Sequence, residues 1–229
     1  MTLQRYAATA GATRGALPAQ PGAPVRERRG PHGPVVRDLR GRSGRSPRAL
    51  RFVAGDVVVV SGLPGSGKST LIRRAVSARV IDSQDTRDRW AGLLPGLVPY
   101  ALYRPFVRVA HYWGLWRVLR SGASVVVHDC GTQAWVRGWL ARDVRRRGSV
   151  LHLVLLDVTP QTARAGQLER GRGVSGYAFA RHRRALRRLL RDTETGTLPL
   201  GCVSAVLLDR EAAALLTRIT FADAGGENR

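Results

Sequence analysis

Five short apolar runs punctuate the chain between residues 56 and 208, and each is followed by a stretch with helical spacing. Asp56 to Ser61 (DVVVVS), Arg79 to Asp82, Ser124 to His128 (SVVVH), Val150 to Leu156 and Val203 to Leu208 are the runs. Continuous β-branched runs of this length fit strands buried on both faces, as in a parallel sheet. After the first run, LIRRAVSA has helical spacing. Pro99 to Arg120 reads as a long aromatic-rich helix, Gln133 to Arg147 as an amphipathic helix closed by Gly148, and Thr159 to Arg170 as a further helix. Tyr177 to Arg191 reads as a strongly basic helix and Glu211 to Thr220 as a closing one. Strands alternating with helices predict βαβ units, hence an α/β three-layer sandwich on a five-stranded parallel sheet. Tyr100, Tyr103, Phe106, Trp113 and Trp116 fall close to helical spacing and read as core, with a few available to line a pocket.

The flanks read differently. Residues 1–51 are rich in Ala, Gly, Pro and Arg, without an apolar period, and include GRSGRSPR at Gly41 to Arg48. That composition predicts a disordered basic tail, either simply solvated or an arm for nucleic acid. The folded domain is expected over 52–222, with a flexible C-terminus over 223–229. No apolar run approaches the roughly 20 residues of a membrane span, and the N-terminus lacks a secretory pattern. Cys130 and Cys202 lie in apolar surroundings and read as core residues of a reducing compartment. A soluble, cytoplasmic protein without a membrane partner is therefore expected.

Charge adds one ambiguous signal and one sharp one. The formal net charge is +22, an electrostatic footprint compatible with nucleic acid. Arg, Ala, Gly and Pro are all abundant, however, so codon bias accounts for part of the basicity. Lys68 is the sole lysine in the chain. Where arginine has replaced lysine everywhere else, the survivor marks a place where a compact ammonium fits and a planar guanidinium does not.

Lys68 lies in a motif. Gly62-Leu63-Pro64-Gly65-Ser66-Gly67-Lys68-Ser69 matches G-x-x-x-x-G-K-[ST] at every position, with Thr70 next. Glycines allow backbone torsions that aim amide N–H groups at phosphate oxygens, and a helix opening near Gly67 adds its positive end. Lys68 would reach the outer phosphates of ATP, and the Ser69 hydroxyl would ligate Mg2+. The loop follows an apolar strand and opens a helix, which is the context such a loop requires.

In open parallel sheets ligands sit beyond the carboxyl ends of the strands, so residues following each run are site candidates. Asp82 and Asp85 follow the second run. They read as an acid that takes or orients the proton of an attacking hydroxyl, or as helix caps. Arg87 reads as an anchor for an anionic acceptor. Asp129 ends the third run and reads as a magnesium-side carboxylate or a cap. Arg170 and Arg172, in RAGQLERGR, read as charge-stabilising residues of a lid or as a solvated turn.

Taken in order, SGLPGSGKST, IDSQDTRDR, VVVHDCGT followed by Arg137, and LLDVTPQTARAGQLERGRG resemble the P-loop kinases of the polynucleotide kinase, gluconate kinase and zeta-toxin neighbourhood. They most resemble small bacterial proteins known only as AAA-type ATP-binding proteins, over about residues 54 to 221. The resemblance implies kinase-type strand order and transfer of the ATP γ-phosphate to a hydroxyl of a small molecule or polynucleotide end. It also implies Asp82 or Asp85 as the acceptor-side acid, Asp129 beside magnesium, Arg170 and Arg172 as lid residues, and Arg87 and Arg137 toward the acceptor. The third run ends HDC, without the Asp-Glu ending of motor ATPases. An ATP-dependent switch, or a nucleic-acid-associated ATPase with little acceptor-dependent turnover, is the alternative.

Overall fold

The computed structural model describes residues 34–77, 79–81, 112–129, 134–171 and 173–222, with the Arg79, Ile81 and Asp129 side chains outside the description. Six parallel strands form the main sheet: β1 (Val35–Asp38), β3 (Val57–Gly62), β4 (Arg79–Ile81), β5 (Val125–Asp129), β6 (Leu151–Leu156) and β7 (Cys202–Leu208). Their order is β1-β7-β6-β3-β5-β4. The five strands expected from the apolar runs thus appear in kinase-type order, with the motif strand β3 at the centre.

All six residues of β3 and all six of β6 are buried. Successive side chains of a strand point to opposite faces, so each valine run feeds two cores. Val57, Val59, Val125, Val127, Leu151, Leu153 and Leu155 pack on one face, with Leu115 and Leu119 from the helix at 112–120 (α2), Leu140 and Val144 from α3 (Ala134–Arg146), Ala163 from α4 (Pro160–Leu168) and Leu186 from α5 (Gly176–Glu194). Val58, Val60, Val126, Val154 and Leu156 pack on the other, with Leu71 and Ile72 from α1 (Lys68–Ala75) and Ala212 from α6 (Arg210–Leu215). The three layers follow from the absence of polar alternation in the runs.

Two expectations change. Residues 34–51 are not tail: β1 pairs with β7, and β2 (Ala49–Val53) pairs with β8 (Arg218–Ala222) as a second, two-stranded parallel sheet. Leu39, Leu50 and Phe52 are core residues of the second face. The domain therefore starts some 17 residues before position 52, and residues 1–33 lie outside the described residues, as do 223–229. The closing helix also ends early. It stops at Leu215, after which Leu216 turns extended and β8 begins. Ile219, Thr220 and Phe221 favour a strand once β2 is present to pair with them.

At the N-terminal ends of the strands, His152 lies between Ser204 (Nδ1 to Oγ, 2.7 Å) and Asp56 (Nε2 to Oδ2, 3.1 Å). Asp56 also accepts from the Val53 and Val150 amides. This buried polar cluster is well supplied with partners and lies at the edge opposite the motif. Among the described residues no helix is long and apolar enough to cross a membrane.

Candidate functional site

The motif loop leaves the tip of β3 and turns directly into α1. Gly65 (φ 85°) and Gly67 (φ 91°) both take left-handed torsions. Gly67 caps α1 with no side-chain hydrogen bond. The first amides of a helix have no intrahelical acceptor, so this uncapped start presents N–H groups and a positive dipole end at the C-terminal edge of the sheet. The Ser66 hydroxyl is buried and without a hydrogen-bond partner among the described residues.

Lys68 is 3% exposed. Its Nζ donates to the Gly62 carbonyl at 2.9 Å and the Leu63 carbonyl at 2.7 Å. The ammonium thus folds back across the loop and braces it. Ser69 follows, buried in the first turn. Ser61, at the end of β3, pairs in register with Asp129 at the end of β5, which brings the backbone of Asp129 alongside the base of the loop.

The loop is also gripped from outside by α4. A Cβ on Gly65 would stand 2.0 Å from the Ala163 carbonyl oxygen, and one on Gly166 would stand 2.5 Å from the Gly65 carbonyl oxygen. Two glycine backbones therefore meet face to face. Gln167 adds hydrogen bonds there: Nε2 donates to the Pro64 carbonyl (3.0 Å), and Oε1 accepts from the Val174 amide (2.9 Å). Arg170 lies exposed just past α4, its amide bonded to the Gln167 carbonyl.

On the β1 side, a segment read as tail ties to residues that follow β6, α5 and β7. Arg40 pairs with Asp38 (2.7 Å), Asp157 at the end of β6 (2.7 Å) and Glu194 at the end of α5 (2.8 Å). The Arg40 guanidinium holds the Asp38 carboxyl below the usual carboxylate range. The Gly41 amide donates to Asp209, which caps α6 after β7. Asp157 and Asp209 were the carboxylates at strand ends that the sequence reading passed over. Their position directly after the fourth and fifth runs was the available signal.

On the β5 side, α2 begins and α3 begins at the same edge. The Tyr112 and Trp135 rings pack tilted at 59°, with centroids 5.0 Å apart, and Trp113 and Trp135 are each 61% exposed. Trp113 is therefore not core, as expected from spacing. The buried stripe of α2 is Leu115, Val118 and Leu119 instead.

Asp82, Asp85, Arg87 and Arg172 lie outside the described residues, as do Cys130, Tyr100, Tyr103 and Phe106. Arg137 lies in the first turn of α3. It is buried, and its charge acts on Cys202, the first residue of β7. Burial pushes the Cys202 thiol up to about 12 against the opposing pull of Arg137, so it stays protonated and is no nucleophile.

A family model described as an AAA domain matches residues 57–195, more than half of the chain and the whole stretch from the loop strand to the end of α5. The chain belongs to this AAA domain family. The family's span holds every element of the loop and its α4 flank, and leaves β1, β2, β7, α6 and β8 outside it. Among solved structures, the AAA-family chain is similar to a candidate kinase from Chloroflexus aurantiacus at 15% identity, covering 67% of this chain and 84% of that one with a TM-score of 0.47. A structure from the PezAT toxin–antitoxin system of Streptococcus pneumoniae matches at 13% identity, covering 69% of each chain with a TM-score of 0.47. The tunicamycin resistance protein of Deinococcus radiodurans matches at 15% identity over 58% of this chain and 80% of that one, with a TM-score of 0.37. No curated protein matches.

Proposed function

We propose that this AAA-family chain is a phosphotransferase that moves the terminal phosphate of ATP to a hydroxyl of a small molecule or a polynucleotide end. The supporting observation is the cradle itself: an uncapped helix start, a buried unpartnered Ser66 hydroxyl, and one ammonium held across the loop at the tip of the central strand. These groups suit a polyphosphate, because each is a donor or positive pole carried by one short loop. Lys68 would exchange its two carbonyls for phosphate oxygens of higher charge, which make the stronger hydrogen bonds.

A magnesium ion, when bound, would screen the triphosphate charge, and Ser69 and Asp129 are the residues suited to hold it. Asp82 or Asp85 would take the proton from the acceptor hydroxyl as its oxygen bonds to the γ-phosphorus. The bond from that phosphorus to the bridging oxygen breaks, and ADP leaves with the electron pair. Arg170 and Arg172 would neutralise charge on the transferring group, and Arg87 would hold an anionic acceptor. Tyr112, Trp113 and Trp135, at the β5 side of the same edge, are positioned to pack against a flat or apolar acceptor part.

A screen with ATP labelled at the γ-phosphate, against sugars, nucleosides, nucleotide sugars and oligonucleotides with free 5′-hydroxyls, tests the reading. Label is expected on one acceptor class. Tight ATP binding with no labelled acceptor in any class would favour a nucleotide-dependent switch instead.

One observation favours the nucleic-acid-associated reading. Along α5, Tyr177 (80% exposed), Arg181, Arg184, Arg187 and Arg191 recur at three- and four-residue spacing and line a shallow groove of about 460 Å³. An exposed ring among guanidiniums suits stacked bases and phosphates. If this face binds single strands, affinity for an oligonucleotide should fall roughly tenfold or more between about 50 and 200 mM salt. Replacing Arg181, Arg184 and Arg187 by Gln should flatten that dependence. A salt-independent or absent interaction would remove this reading.

A further inference from the structure

The Gln167 side chain is the polar group that joins α4 to the phosphate loop, and its amide orientation is fixed by its partners. A carbonyl oxygen faces one end and an amide N–H the other, at 3.0 Å and 2.9 Å. Flipping the amide would set oxygen against oxygen and N–H against N–H, so only one orientation works. Gln167 is buried, where an unmade hydrogen bond is costly.

The carbonyl that Gln167 holds belongs to the Pro64–Gly65 peptide. In a trans peptide the C=O and the N–H point in opposite directions, and no cis peptide occurs among the described residues. Holding the Pro64 oxygen toward α4 therefore turns the Gly65 N–H away from α4. That is the side on which the loop curves around its own interior, since α4 packs against the outside at Gly166 and Ala163. The loop glycines make this peptide free to rotate: Gly65, at φ 85°, imposes no side-chain barrier of its own. Something outside the loop must fix it, and Gln167 does so.

We infer that Gln167 is a positioning residue. It presets the Gly65 amide for a phosphate oxygen and, through the Val174 amide, ties the segment ahead of α5 to the same loop. This inference rests on the polyphosphate-cradle reading but not on transfer to any acceptor.

Calorimetric binding of Mg-ATP and of tripolyphosphate, without acceptor, tests it. Gln167→Met keeps the length and removes both hydrogen bonds, and should weaken both ligands about tenfold, as expected for one misoriented anion donor. Gln167→Glu supplies the acceptor for Val174 but, when ionised, has no donor for Pro64. Its binding should be weak near about pH 8 and recover toward wild type as the pH falls through the carboxyl's pKa, because the protonated carboxyl can donate. Burial against the Pro64 carbonyl raises that pKa above the ordinary value of about 4.3. Wild type measured over the same range is the control, and a merely structural role would not produce this recovery. If Gln167→Met does not fold, the pH series on Gln167→Glu alone decides. Wild-type affinity in both variants, or no pH-dependent recovery in Gln167→Glu, overturns the inference while leaving the cradle reading intact. Failure of the wild type to bind either ligand overturns both.

Discussion

Lys68→Ala should weaken ATP binding roughly 100-fold or more and leave the melting temperature unchanged or raised. The first part follows from charge: hydrogen bonds to an ionised partner contribute about 1.5–3 kcal/mol each, and the ammonium would make more than one to a triphosphate. The second follows from burial. Lys68 is almost wholly removed from water, and its bonds to the Gly62 and Leu63 carbonyls only offset the cost of taking a cation out of solvent. Removing it relieves that cost, which offsets the loss of the two bonds. Lys68→Arg should fail similarly, because a planar guanidinium cannot fold back between two adjacent carbonyls of one tight loop. Calorimetry for binding and thermal unfolding for stability separate the two effects. ATP affinity within a few-fold of wild type in Lys68→Ala would remove the assignment of the loop.

Gly65→Ala should be the most damaging methyl addition among the described glycines. Two costs combine. A side chain at φ 85° costs about 1–2 kcal/mol, and the new Cβ would collide with the Ala163 backbone oxygen and the Gln167 side chain. Backbone cannot swing aside as a flexible side chain can, so α4 must shift, at a further cost of about 1–3 kcal/mol. A fall of roughly 5–15 °C in melting temperature is expected for a domain of this size, with ATP affinity lowered at least about tenfold because the loop loses its outer support. Gly67→Ala is the natural contrast. Its torsion is as unusual, at φ 91°, but a Cβ there meets nothing within 4 Å. It should show the torsional cost alone. Equal losses of stability in the two variants would contradict the claim that α4 presses on the loop.

The difference between these glycines also shows what could be read from the sequence. The spacing G-x-x-x-x-G-K-S located the loop, and VVVVS, SVVVH and LHLVLL located the central strands, because a strand covered on both faces has no polar alternation to hide it. Nothing in RAGQLERGRG indicated that Gly166 would meet Gly65 or that Gln167 would reach Pro64. Those contacts exist only once α4 is laid against the loop. β1 and β2 were illegible for a related reason. VVRD and ALRFV are short, sit among glycines and arginines, and become strands only beside β7 and β8. β8 was disguised more actively: Leu215 and Ile219 stand four residues apart, so the end of α6 and the start of β8 mimic one apolar helical stripe. Trp113 misled in the opposite direction, since helical spacing gives the period of a stripe but not which residues lie at its exposed rim.

The pairing of β2 with β8 has a consequence for how the molecule is made. The Thr217 hydroxyl bonds the Arg48 carbonyl across 169 positions of chain, and Leu50 and Phe52 reach full burial only beside Ile219 and Phe221. During synthesis the early segment leaves the ribosome first and waits for its partner until residues 218–222 have followed. Contacts between such distant residues close late, so Leu50 and Phe52 complete their packing only after β8 has been made.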